Sequence, residues 1–121
     1  MSFSDDMIKS VWLKARVVKG YDENLFRKDA CGAWIMCDKY GKDHVFGWEI
    51  DHIFPRERGG TDILENLRPL QHQNNASKAD DYPSYTAVVT SEGDANIYQE
   101  KNLTVNSKER EVLGKIYKLM I

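Results

Sequence analysis

The chain has 121 residues, with 17 Lys and Arg against 19 Asp and Glu and a formal net charge of −2. That length suits one ordinary domain with a core of its own, and 41% hydrophobic with 30% charged residues excludes a disordered tail. The near-neutral balance also excludes a polycation gripping nucleic acid by bulk charge, so any such activity has to come from a local site.

Ser4 before Asp5 and Asp6 reads as a helix start, with acids at the positive dipole end. Met7, Ile8, Val11, Trp12 and Ala15 then recur at helical spacing, and Gly20 closes the segment. Residues 21–32 read as polar and turn-like. Ala33–Cys37 reads as a short strand, 39–42 as a turn and Val45–Phe54 as a second strand stopped by Pro55. Residues 55–66 form a loop longer than the usual roughly four to six residues, a length often tied to function.

Leu67–Leu70 is a brief strand and His72–Asp80 a helix that stops before Tyr82-Pro83. Tyr85–Thr90 and Ala95–Val105 alternate as a hairpin around Gly93. Asn106 or Ser107 caps a last helix with Val112, Leu113, Ile116, Tyr117 and Met120 on one face. Trp12, Trp34 and Trp48 are expected in the core. Cys31 and Cys37 are the only cysteines, too few for a four-cysteine zinc site. With no signal-like N-terminus and no run of about 18–20 apolar residues, a reducing compartment is expected, which disfavours a disulfide between them.

The chemistry concentrates after Trp48. Asp51 and His52 are adjacent, and Asn66, Asn75 and Lys78 follow across a strand–loop–strand–helix. A hard divalent cation prefers oxygen ligands, which Asp51 and the Asn75 carboxamide would supply. An imidazole titrating near neutrality can take a proton from attacking water, the role expected of His52. Its tautomer must then be fixed by an acceptor, such as a backbone carbonyl, on the other ring nitrogen. Neighbours on a regular strand point to opposite faces, so the strand has to bend or end there for Asp51 and His52 to share a site.

Asp51-His52, then Asn66-Leu67 fourteen residues past His52, Asn75 nine further on and Lys78 three later resemble the HNH endonucleases, the His-Me finger nucleases, in their HNN variant. The resemblance covers roughly residues 27–81. It implies an α+β fold with a ββα-metal core, here flanked by N- and C-terminal helices and a C-terminal β-hairpin, in one domain over residues 1–121 with 82–121 as a supporting extension. It implies a metal-dependent endonuclease hydrolysing DNA phosphodiester bonds to 5′-phosphate and 3′-hydroxyl ends. His52 corresponds to the general base, Asp51 and Asn75 to the metal ligands, and Asn66 to the residue that braces the loop and orients the base. One divalent cation, Mg2+ with Mn2+ as substitute, is implied.

Many relatives add a zinc knuckle, but only Cys31 remains of its four positions, Lys28, Cys31, Gln71 and Asn74, so no structural zinc is expected. Lys78, Arg56, Arg58 and Arg68 are candidates for phosphate contacts, as basic side chains near such a site position the backbone. Glu49 is read either as an outer neighbour of the metal or as an exposed strand carboxylate, and His72 as solvent-facing, a substrate contact or a displaced third-motif residue. An RNase and a non-catalytic nucleic-acid-binding or interaction module on the same fold are the alternatives. The expected protein is cytoplasmic and bacterial or phage-encoded, or nuclear if eukaryotic. It has no membrane association, and a homodimer or a targeting partner would aim it. Residues 49–81 hold seven acidic and four basic side chains, so without metal DNA affinity should be weak and salt-sensitive.

Overall fold

The structure is a computed structural model and describes residues 2–119. Helix α1 (Asp5–Trp12) starts where Ser4 accepts from the Met7 N–H at 3.1 Å, with Asp5 and Asp6 in its first turn. It ends earlier than the apolar spacing suggests. The Lys14 and Ala15 N–H groups bond three residues back instead of four, and Arg16 then leaves to pair with Lys28, N to O at 2.8 and 2.9 Å. The buried Arg27 guanidinium bonds the Leu13 and Ala15 carbonyls, taking up acceptors left over at the helix end.

Residues 21–32, expected as a turn throughout, contain strand β1 (Phe26–Lys28), paired antiparallel with β2 (Trp34–Met36). Three residues are too few for alternation to show in the sequence. Strand β3 (Trp48–His52) starts three residues later than Val45 and pairs antiparallel with β4 (Leu67–Gln71), followed directly by α2 (His72–Lys78). The hairpin is β5 (Ser84–Glu92) and β6 (Ala95–Thr104), with a bulge between Ala87 and Val89. Helix α3 (Ser107–Tyr117) is capped by Asn106, whose side chain accepts from Glu109 N at 2.8 Å.

The fold is mixed helix and strand, built on three two-stranded sheets among the described residues. Two apolar clusters hold it. One joins α1 to β2, β3 and β4 through Val11, Trp12, Ile35, Trp48 and Leu67. The other joins Ile53, Phe54 and Leu70 to Tyr85 and Ala87 of the hairpin, Val105 just past it and Leu113 of α3. Each fully buried Leu, Ile or Val here contributes roughly 1.5–3 kcal/mol. All three tryptophans are buried. On α3 only Leu113 is buried among the expected apolar residues. Tyr117 packs against the cluster, whereas Val112 and Ile116 are exposed because the helix meets the core along a narrow stripe. Met120 lies outside the described residues.

Candidate active site

The β3–β4 ladder stops at His52, opposite Leu67, and the Ile53 N–H turns to the Asn66 carbonyl at 2.8 Å. That strand end lets Asp51 and His52 line one cavity, of about 190 Å3, with Arg56, Glu57, Asn75 and Asp80. Fully buried Asn66 fixes the loop that follows. Its Oδ1 accepts from Phe54 N at 2.7 Å, and its Nδ2 donates to Phe54 O at 3.0 Å and Thr61 O at 3.1 Å. The loop passes so close to itself that a Cβ on Gly60 would lie 1.8 Å from the Phe54 carbonyl oxygen, and Gly59 sits at φ +110°. Both positions need glycine.

Asp51 is buried and held by two cations. Arg68 Nε donates to its Oδ2 at 2.9 Å, and Lys78 Nζ lies 3.2 Å from its Oδ1. Lys78 also donates to the carbonyls of His52 at 3.2 Å and Ile53 at 3.1 Å, so this ammonium braces the strand end. Burial pulls Lys78 below the ordinary lysine range, against the Asp51 carboxylate, which raises it. Burial opposes the Arg68 charge most strongly, but the charge and hydrogen bond of Asp51, together with Tyr85 and Glu109, hold the guanidinium above its ordinary value. Arg68 Nη2 is buried with no hydrogen-bond partner among the described residues, and its guanidinium carbon lies 5.0 Å from the Tyr85 ring centroid.

The His52 ring is mostly buried beside Phe3, and its Nε2 lies 2.7 Å from Asp62 Oδ1. Half-buried Asn75, on α2, donates from Nδ2 to Glu49 Oε1 at 2.9 Å, which leaves its carboxamide oxygen as the remaining polar end.

Residues 31–79 match the HNH endonuclease family. No curated protein and no solved structure matches the chain. The HNH segment runs from Cys31, before β2, to Ala79, just past α2, and so contains Asp51, His52, Asn66 and Asn75. The family is one of nucleases, which act on DNA and generally use a divalent metal. Among the described residues no helix is long and apolar enough to cross a membrane.

The donor set fits such a metal. No group of three or more His, Cys, Asp or Glu poised to hold an ion occurs among the described residues. Mg2+ in phosphoryl-transfer sites takes one or two protein oxygens and fills the rest with water and substrate phosphate. Asp51 and the Asn75 oxygen, which line one cavity, would supply such a pair. Each Asp51 oxygen accepts one bond and keeps a second lone pair.

The four basic residues proposed for phosphate contact separate sharply. Lys78 is fully buried and Arg68 is 5% exposed, so both act on Asp51 and not on a bound strand. The sequence misleads there because a charged side chain in a short polar helix looks like solvated surface. Arg58 is exposed but folds back over Phe54, 5.5 Å from its ring centroid, and donates to Tyr82 O at 3.1 Å. Arg56 is exposed on the cavity rim. His72, 3.8 Å from Asp43, does not line that cavity.

A buried polar network occupies the region of the knuckle positions. The Asp29 carboxylate accepts from the Cys31 and Ala33 N–H groups, from Gln71 N and from Asn74 Nδ2, at 2.9–3.1 Å. Burial pushes Asp29 up, and those four donors pull it back. Gln71 caps α2 by accepting from Gln73 and Asn74 N–H, and Asn74 Oδ1 takes the Val88 and Val89 N–H groups, tying α2 to the hairpin. Lys28 instead lies over the Trp34 ring. Both cysteines are free thiols. Burial pushes Cys31 up to about 12.

Sequence reasoning missed Asp29, Asp62, Glu57 and Asp80. Asp62, two residues after the tight Gly60, had a signal in its place within an over-long loop. Glu57 lies in the same loop, whereas Asp29 and Asp80 had no such signal.

Proposed function

We propose that the chain is a metal-dependent HNH endonuclease that hydrolyses DNA phosphodiester bonds. The observation that carries the reading is the convergence of Asp51, His52 and Asn75 on one cavity at the end of β3, inside the segment that matches the family. In this reading β3, β4 and α2 are the ββα-metal core, and residues 82–121 support it within a single domain. Asp51 and the Asn75 carboxamide oxygen would hold Mg2+ or Mn2+. When bound, the cation supplies Lewis-acid stabilisation of the charge that develops on the phosphate and leaving oxygen. The His52 imidazole accepts the proton of the attacking water, and its burial beside Phe3 keeps bulk water from one side of the ring. Asn66 acts at one remove, by fixing the backbone on either side of the loop. Arg56, exposed at the cavity rim, is assigned the phosphate contact in this reading.

Supercoiled plasmid and end-labelled RNA of matched length, each incubated with Mg2+ or Mn2+ and with EDTA, test this. Metal-dependent nicking of plasmid with RNA left intact is the expected result. Cleavage of RNA alone would make the chain a ribonuclease. No cleavage of either would make it a binding module.

A further inference from the structure

The loop between β3 and β4 delivers a carboxylate to the imidazole. Asp62 Oδ1 lies 2.7 Å from His52 Nε2. An ionised carboxylate only accepts, so a neutral imidazole in that contact carries its proton on Nε2 and keeps its lone pair on Nδ1. The backbone that carries Asp62 is fixed at the preceding residue from two directions. Asn66 Nδ2 donates to Thr61 O at 3.1 Å. From the other side the Tyr117 hydroxyl accepts from Thr61 N at 3.0 Å and bonds Thr61 Oγ1 at 2.8 Å. Tyr117 belongs to α3, beyond the segment matching the family, and its ring packs on Phe54 with centroids 5.2 Å apart.

We propose that Asp62 is a positioning residue that holds the His52 ring in one tautomer and orientation with Nδ1 as the proton acceptor. The Tyr117 hydroxyl secures the loop that presents it. This gives the C-terminal helix a part in the reaction besides closing the core, and it rests on His52 being the base. A surface ion pair would be worth little, but orientation of a catalytic imidazole acts on the rate, not on stability. Removing the group that orients a metal-bound histidine typically costs about 10–100-fold in affinity or activity, and a loss on that scale is expected here.

The test joins two readouts on the full chain. Nitrogen-15 NMR of the metal-free protein, at a pH where imidazoles are neutral, resolves the three histidines, with His52→Ala assigning the one of interest. Wild type should show a downfield, slowly exchanging Nε2 proton at His52. Asp62→Ala should lose that signal and lower kcat for Mg2+-dependent plasmid nicking about 10–100-fold with KM unchanged. Asp62→Asn keeps an oxygen acceptor without the charge, so it should retain the Nε2 proton and an intermediate kcat. Tyr117→Phe keeps the ring packing and should lower kcat in the same direction by less. A wild-type proton on Nδ1, or an Asp62→Ala protein with the wild-type signal and kcat, would overturn the proposal. Loss of the Nε2 signal in Asp62→Ala when no protein nicks DNA would uphold the positioning and overturn the nuclease reading instead.

Discussion

Lys78 and Asp29 show how much of this protein's specification lies in single buried charges. Lys78 neutralises Asp51 and bonds two carbonyls where β3 ends, so Lys78→Met should strip compensation from a buried carboxylate. Breaking such a pair costs on the order of 3 kcal/mol, read as a lower urea midpoint. A phosphate-contacting lysine would leave the midpoint in place and reduce only the salt dependence of DNA binding. Asp29→Ala orphans four N–H donors and should destabilise by about 3–5 kcal/mol, given about 1–3 for each buried donor left unpaired and partial relaxation. Cys31 offers a check on burial itself. A thiol raised to about 12 is almost wholly protonated at neutral pH, and the thiolate is the reactive form. Native alkylation followed by mass spectrometry should therefore leave Cys31 unmodified while the unfolded chain reacts at both cysteines.

At the scale of elements, the loop of residues 55–66 turns a strand end into a site. Gly60→Ala places a methyl group against the Phe54 carbonyl and the Asn66 amide. The loop then has to shift, and nicking should fall at least tenfold with far-UV circular dichroism unchanged; a wild-type rate would show that the loop geometry is not needed. This is also where the sequence was most and least legible. The hairpin, α1 and α3 declared themselves through alternation, spacing and caps. Asp51, His52 and Asn75, singled out in the sequence by the spacing of a motif, line one cavity. Strand β1 did not declare itself, because Arg27, Asp29 and the Arg16–Lys28 bridge hold it by contacts distant in sequence. The two buried cations beside Asp51 did not either, since a local reading treats Arg and Lys as surface.

For the whole molecule, the HNH segment does not close its own core. Ile53, Phe54 and Leu70 are covered by Tyr85, Ala87, Val105 and Leu113, and Asn74 bonds β5 directly. A chain ending at Pro83 should lose the near-ultraviolet dichroism of its tryptophans and its cooperative unfolding; a sharp transition would show that residues 84–119 are dispensable. The charge balance also tightens at this scale. Of the four basic residues among 49–81, Arg68 and Lys78 are buried against Asp51, so the exposed part of this segment is more acidic than the count suggests. Metal-free DNA binding should accordingly be weak at physiological salt in fluorescence anisotropy.

The most direct measurement is single-turnover nicking of supercoiled plasmid in Mg2+ by wild type and His52→Ala, with both shown to be folded by their thermal transitions. Wild type should nick, and His52→Ala should fall to the background of the buffer with its melting temperature within a few degrees. A folded His52→Ala protein that cuts as fast as wild type would contradict the site placed at the end of β3.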